Sequence, residues 1–253
     1  MNECFSGKLT CWKNDVTSAR VTAIRVGGLV PITTTDFPDR LAAVIFTQGC
    51  PWDCHYCHNP HLLPAFTDSL LDWDTILGFL ETRRGLLDAV VFSGGEPLYQ
   101  RSLLQAVETV HGMGFEVGLH TGGAYPERLR QLLPRLDWVG LDIKALFRDY
   151  GQVTRVPGSG ERARISLDYL LGSGIAYEVR TTVHSKYFDQ ECLLALARDL
   201  RDIGVRNYAL QVCRKTEGIN AVTMEDCDNR ALLMNRVVND IDRMFSTFTV
   251  RGM

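Results

Sequence analysis

Cys50, Cys54 and Cys57 fall within eight residues. Thiolates at the spacing C-x3-C-x2-C can wrap three corners of a [4Fe-4S] cube, since soft sulfur ligands suit iron–sulfur clusters. Three ligands leave the fourth iron open. An open iron can chelate the amino and carboxylate groups of S-adenosylmethionine (SAM), which a cluster closed by four cysteines cannot do. The rival chemistry is a structural zinc ion completed by His55 or His58. Such sites usually pair two separated ligand couples, and this sequence offers no second couple. Cys192, Cys213 and Cys227 are isolated and read as small core residues or surface thiols, and Cys4 and Cys11 have no other ligand nearby.

A second chemical signal follows about one strand–helix unit later, in Ser93-Gly94-Gly95-Glu96-Pro97. A glycine pair after a strand lets backbone approach a ligand closely, and the Glu96 carboxylate can accept from a cationic amino group. Alone the pair reads equally well as an ordinary turn. Both features stand at C-terminal strand ends, where barrel enzymes place their chemistry.

The elements that must position these groups alternate short apolar runs with amphipathic stretches. The apolar runs predict strands over 41–48, 89–92, 115–120, 138–144, 177–184 and 208–213. Between them, helices are predicted from an Asp72 cap to Gly85, and over 100–112, 126–133, 162–172 and 189–203. A further helix in the tail carries Leu233, Val237, Ile241 and Phe245, after a Thr223–Asp226 capping arrangement. This is an α/β chain with six parallel units, a partial (β/α)6 TIM-type barrel with a C-terminal helix. Residues 21–253 form one domain in this reading, and 1–20 a loosely ordered extension.

Strand alternation sorts the inner residues from the outer ones. Glu116, Gly118 and His120 share one face of the third strand. Gly140, Asp142 and Lys144 share one face of the fourth, and Glu178, Arg180, Thr182 and His184 one face of the fifth. The apolar faces belong under the helices, so the polar ones are expected to converge inside the barrel. Charges at that density need partners or a polar ligand.

The composition narrows the classes. Apolar residues make up 45% and charged residues 23% of 253, ordinary for a globular chain. A net charge of −3 argues against a nucleic-acid surface. No run approaches the roughly 20 apolar residues of a membrane span, and the first residues lack the basic start and apolar run of a signal peptide. A cytoplasmic location is expected, with no membrane partner.

The cysteine loop with Tyr56 before its last cysteine, followed by Gly94-Gly95-Glu96-Pro97, resembles the radical SAM superfamily. Cys57-His58-Asn59-Pro60 and Asp142-Ile143-Lys144 resemble the activating proteins of glycyl radical enzymes. Gly27 to Pro31, Asp36-Phe37-Pro38, Phe46 to Cys50 and His120-Thr121-Gly122 are similar to anaerobic ribonucleoside-triphosphate reductase activating proteins. The resemblance covers about residues 25–215. It implies a [4Fe-4S] cluster and SAM as cofactors, a flavodoxin or ferredoxin as electron donor, and a glycyl radical enzyme, the anaerobic reductase, as partner. It places Tyr56 against the adenine, Gly94, Gly95 and Glu96 at the methionine amino group, and Asp142 and Lys144 near SAM. Arg180, on the inward face, can reach a SAM carboxylate or ribose. An interior ion pair of Asp142 and Lys144 with Arg180 or Glu178 is the bland alternative. His55, His58 and His184 read as supporting groups rather than ligands. Some activases carry Asp-Thr-Asn-Gly, with a cation-binding aspartate, where this chain has His120-Thr121-Gly122-Gly123. The chain also lacks the cysteine-rich insert of several activases, so no auxiliary cluster is expected.

Overall fold

The computed structural model describes residues 24–213 and 233–252. One eight-stranded sheet runs in chain order through β1 (Val26–Thr33), β2 (Ala42–Thr47), β3 (Ala89–Gly94), β4 (Glu116–Thr121), β5 (Trp138–Asp142), β6 (Ala176–Val183), β7 (Asn207–Val212) and β8 (Thr247–Arg251). β2 to β8 are parallel; β1 is antiparallel to β2. The six predicted strands are β2 to β7, and β1 and β8 extend the sheet at its two edges. Residues Val26 to Pro31 contain Gly27 and Gly28, and the β1 register slips twice, at Val26/Gly28 and Val30/Thr33. Glycine and bulges weaken the alternation by which a strand is recognised.

The helices are α1 (Trp73–Glu81), α2 (Leu103–Gly112), α3 (Pro126–Leu132), α4 (Tyr150–Thr154), α5 (Ser159–Ser173), α6 (Gln190–Ile203) and α7 (Asn235–Asp242). Asp72 caps α1 by accepting from Thr75 N at 3.1 Å, and Asp189 caps α6 by accepting from Cys192 N at 2.7 Å. α6 buries Leu193, Leu196, Ala197 and Leu200, a stripe at helical spacing laid on the sheet. The short α4 is an element the sequence pattern does not announce. In the tail, Val237 and Ile241 are buried on α7, whereas Phe245 lies beyond its end and packs on Tyr208 with ring centroids 4.7 Å apart. The chain then returns as β8 instead of continuing the helix. The capping arrangement at Thr223 and the extension at 1–20 lie outside the described residues.

The outer face of the sheet holds the main core, including Val117, Leu119, Val139, Leu141, Ile143, Val179 and Val183, all fully buried. This is the packing expected of parallel strands sheathed by helices. The inner face differs from the all-polar lumen the alternation implies. Phe37, Ala42, Val44, Ala89, Val91 and Trp138 form a second apolar cluster there. Trp138 on β5 joins one cluster with residues of β2 and β3, as a curled sheet requires, and the Phe37 and Trp138 rings, 5.6 Å apart, fill its floor. β2 and β3 are apolar on both faces, so the polar lining is confined to the C-terminal end of the lumen. Glu116 and Glu178 are drawn elsewhere, to Arg40 at 2.9 Å and to Arg251 of β8 at 2.6 and 2.8 Å. Among the described residues no helix is long and apolar enough to cross a membrane.

Candidate active site

The loop after β2 carries the three cysteines, and its backbone is stitched on both sides. Gly49 N donates to Leu62 O at 2.8 Å and Cys50 N to Leu63 O at 3.1 Å, which closes the loop on itself. Glu96 N donates to Gly49 O at 2.9 Å, tying the loop to the end of β3. On the far side Asp53 N donates to Thr154 O at 3.1 Å, His55 N to Val153 O at 3.3 Å, and Arg155 pairs with Asp53 at 2.8 Å. α4 is therefore the buttress of the cysteine loop.

Cys50, Cys54 and Cys57 all line one cavity of about 960 Å³ at the C-terminal ends of the strands. Tyr56, Gly94, Gly95, Glu96, Asp142, Lys144 and Arg180 line it too, so the fold gathers the expected cluster and SAM residues in one place, while His55, His184, Glu116 and Glu178 do not line it. Burial pushes the Cys50 thiol up to about 12 and the Cys54 thiol up to about 11, and it raises Cys57 as well. These thiols stay protonated until a metal displaces the proton. Among the described residues no three His, Cys, Asp or Glu side chains are gathered for a single metal ion. The cysteine wall, soft in its donors and lining a cavity wide enough for more than one ion, fits a sulfur-ligated cluster.

Gly94 and Gly95 owe their identity first to the protein. Gly94 has φ +116°, and a Cβ there would overlap the Thr47 backbone; at Gly95 it would overlap the Gly49 carbonyl. Close approach of β2 and the cysteine loop, beneath the cavity surface, requires both. Glu96 is buried, 1% exposed. Its Oε1 accepts from Thr121 Oγ1 at 2.7 Å and Leu98 N at 3.1 Å, and its Oε2 from Gly122 N at 3.0 Å. Desolvation raises its pKa, against the pull of those three donors. Of the roughly four lone-pair positions of a carboxylate, three are occupied, and Glu96 also lines the cavity, where the fourth can serve a ligand.

Across the cavity, Asp142 Oδ1 accepts from Arg180 Nε at 2.9 Å and Asp142 Oδ2 from Lys144 Nζ at 3.4 Å. The interior ion pair therefore exists, with Arg180 and not with Glu178. Burial works against the charge on Asp142, but Arg180 and Lys144 overcome it and hold the carboxyl at about 2. Burial likewise opposes the Lys144 charge, and Asp142 foremost raises it well above an ordinary lysine. One carboxylate between two cations leaves a net positive group on the cavity wall, suited to an anionic ligand atom. Tyr150, which no sequence signal marks, sets this arrangement. Its hydroxyl donates to Asp142 O at 3.1 Å and accepts from Lys144 N at 3.0 Å, so it fixes the turn that carries both side chains.

The Tyr56 ring points into the protein, stacked on His184 with centroids 5.7 Å apart, and its hydroxyl donates to Lys144 O at 3.4 Å. The residue as a whole is buried, and it lines the cavity. His55 packs edge-on to His184, and His58 stands exposed at the cavity rim. His120 Nε2 lies 2.9 Å from Asp36 O; burial first and Arg180 second push it far below the usual histidine range, so the ring is neutral. Sequence reasoning missed Trp52, Gln211 and Arg251 as cavity residues. For Trp52 a signal existed, since it lies between two of the cysteines.

A curled parallel sheet bearing a thiol-rich loop opposite a cationic wall defines an α/β barrel enzyme built around a cofactor cavity. Residues 44–206 match the family model described as the radical SAM superfamily. The chain belongs to the radical SAM superfamily and is an enzyme of that class. A protein of Methanocaldococcus jannaschii provisionally named a glycyl-radical enzyme activating enzyme is 29% identical over 206 residues, 74% of this chain and 78% of its own length. The pyruvate formate-lyase-activating enzyme of Clostridium pasteurianum is 32% identical over 128 residues, 48% of this chain and 52% of that one. Among solved structures, Streptococcus suis SuiB bound to S-adenosylmethionine superposes with a TM-score of 0.64 at 15% identity, covering 83% of this chain and 50% of that one. QueE from Escherichia coli superposes with 0.53 at 19% identity, covering 91% and 94%.

Proposed function

We propose that this enzyme is an activase that installs the glycyl radical of an anaerobic ribonucleoside-triphosphate reductase. The observation that carries the reading is the meeting, in one cavity, of the cysteine loop, the Gly94-Gly95-Glu96 strand end and the Asp142–Lys144–Arg180 group. The names of relatives spanning most of the chain support the activase class.

In this reading Cys50, Cys54 and Cys57 hold three corners of a [4Fe-4S] cluster and SAM occupies the cavity beside it. When bound, the pair supplies reductive cleavage of SAM to methionine and a 5′-deoxyadenosyl radical, which takes a hydrogen atom from a glycine Cα of the partner. The protein's part is position and charge. The free lone pair of Glu96 accepts from the amino group of SAM, and the backbone at Gly94 and Gly95 lies alongside. Arg180 and Lys144 draw the anionic carboxylate or the ribose hydroxyls, while Asp142 holds both cations in place. The Tyr56 backbone flanks the adenine. A cavity of about 960 Å³ lies at the upper end of the range for a small-molecule pocket, ~300–1,000 Å³, leaving room for a glycine-bearing segment as well as SAM. A flavodoxin or ferredoxin supplies the electron.

The test is electron paramagnetic resonance on anaerobically reconstituted enzyme mixed with the anaerobic reductase, SAM and a strong reductant, with 5′-deoxyadenosine measured in the same tube. A glycyl radical doublet on the reductase is the expected result. Deoxyadenosine with a doublet only on pyruvate formate-lyase moves the assignment to that partner. Deoxyadenosine with neither doublet removes the activase reading.

A further inference from the structure

Cluster chemistry of this kind consumes an electron that must enter through the protein surface, and the surface outside Cys50 has an unusual make-up. The Tyr99 ring packs on the α-carbon of Gly49, the residue before Cys50; a Cβ there would stand 2.7 Å from that ring. Tyr99 and Tyr125 have ring centroids 6.3 Å apart, and the electrostatic neighbours of the Tyr125 hydroxyl include Arg128, Tyr99 and the Cys50 thiol. The Arg25 guanidinium lies 5.9 Å from the Tyr99 centroid and 5.3 Å from that of Phe66, a phenylalanine 80% exposed. Arg128 lies 4.7 Å over Tyr125 and donates to the carbonyls of Leu98 and Tyr99 at 2.7 Å each.

Beside them runs a groove of about 310 Å³ lined by Arg101, Arg128, Leu98, Leu104, Gln100 and Gln131 among others, with no carboxylate in its lining. Arg25, Arg101 and Arg128 form no ion pair among the described residues, in a chain whose net charge is −3. Most other arginines of known placement are neutralised by a neighbouring acid, for example Arg130 by Glu127 and Arg135 by Glu108. Arginines without an acidic partner beside the exposed Phe66 and the half-buried Tyr99 and Tyr125 have the composition of a recognition surface.

We infer that the Arg25–Phe66–Tyr99–Arg101–Arg128 face is the docking surface for an acidic one-electron carrier protein, which reduces the cluster from the Cys50 side. The inference rests on the proposed cluster at Cys50, Cys54 and Cys57. In the step the carrier loses one electron and the oxidised cluster gains it, going from its 2+ to its 1+ state; no bond forms or breaks.

The experiment is stopped-flow absorbance of the reconstituted enzyme, without SAM and without any glycyl radical enzyme, mixed with reduced flavodoxin or with dithionite. Arg101→Glu, Arg25→Glu, Phe66→Ala and the charge-keeping Arg101→Lys are compared with the parent at low and high salt. Charge reversal is expected to slow reduction by flavodoxin about tenfold at low ionic strength, with the difference shrinking as salt screens it. Arg101→Lys is expected to keep most of the rate, and dithionite to reduce every variant alike, which certifies an intact fold and cluster. Reduction of Arg101→Glu by flavodoxin at the parent rate in low salt overturns the inference. So does normal flavodoxin reduction of the variants together with slowed glycyl radical formation in a separate dithionite-driven assay that contains SAM and the reductase, which assigns the face to the protein substrate. Because the rate is read without SAM or partner, it stands or falls separately from the activase reading.

Discussion

Replacement of Glu96 by Gln is the perturbation that best tests how the site is built. The carboxylate is buried with three donors aimed at it: Thr121 Oγ1 and Leu98 N at Oε1, Gly122 N at Oε2. A glutamine has the same shape but must place an NH₂ at one of the two oxygen positions. At the first it faces the Leu98 N–H, at the second the Gly122 N–H. Thr121 can turn its hydroxyl to accept, but neither backbone donor can be reversed. One buried N–H is left unsatisfied, which costs about 1–3 kcal/mol, and the two remaining bonds lose the reinforcement of a full charge. The sum is about 2–3 kcal/mol for the metal-free protein. In a chain of this size each kcal/mol moves the melting midpoint by about 2–4 °C, so Glu96→Gln is expected to melt about 5–10 °C lower. Calorimetry on the metal-free protein reads this without any cofactor. A midpoint within about 1 °C of the parent refutes the claim that Glu96 ties the ends of β3 and β4 together. If the midpoint falls as expected but SAM affinity of the reconstituted variant is unchanged, the carboxylate is a tether alone.

Cys54→Ala is expected to leave two thiolates and to lose the open-iron cluster, read as iron content and the loss of its absorbance; full iron content refutes the ligand assignment. Gly122→Ala places a methyl group against the Trp52 ring inside the cysteine loop and is expected to cost about 1–3 kcal/mol, with lower iron occupancy after reconstitution; a parent-like denaturation midpoint counts against that packing. Tyr150→Phe removes the hydroxyl that braces Asp142 O and Lys144 N. Weaker SAM binding at unchanged iron content is the expected outcome, by calorimetric titration, and unchanged affinity denies Tyr150 a positioning role. The metal-free protein is expected to lose stability on acidification. Asp142 has its pKa depressed from 3.8 to about 2, so its contribution, about 2 kcal/mol, is complete above pH 4 and is lost as pH falls through 2. His120 is held neutral below its ordinary range, so the unfolded chain takes up a proton the folded one refuses, and the slope has the same sign. Denaturation midpoints at pH 7, 5 and 3 read it; in Asp142→Asn the loss below pH 4 should shrink.

The strands that carry the chemistry were legible because a parallel strand buried on both faces has little freedom of composition. Ala42 to Ile45 and Ala89 to Phe92 are apolar runs for that reason. The cysteine spacing, the Gly-Gly-Glu strand end and the Asp-x-Lys alternation were equally local, so residues 41–213 could be placed in order and their inner faces named. β1 and β8 escaped because their evidence is not local: β1 is bulged and glycine-rich and is held by pairing with β2, and β8 is five residues held by β7. Tertiary structure alone decided that Phe37 and Trp138 close the lumen floor, that Glu178 pairs with Arg251 across β7, and that Arg180 is the partner of Asp142. It also decided that Glu96 spends two lone pairs on the end of β4 and a third on Leu98 N, and that α4 with Tyr150 braces the loop and the cationic wall together. The sequence determined which groups could do chemistry, since residue type and period are written along the chain. Which of them meet, and which are already satisfied by one another, depends on the curl of the sheet. That curl brings residues a hundred positions apart within hydrogen-bond reach, and no local pattern encodes it.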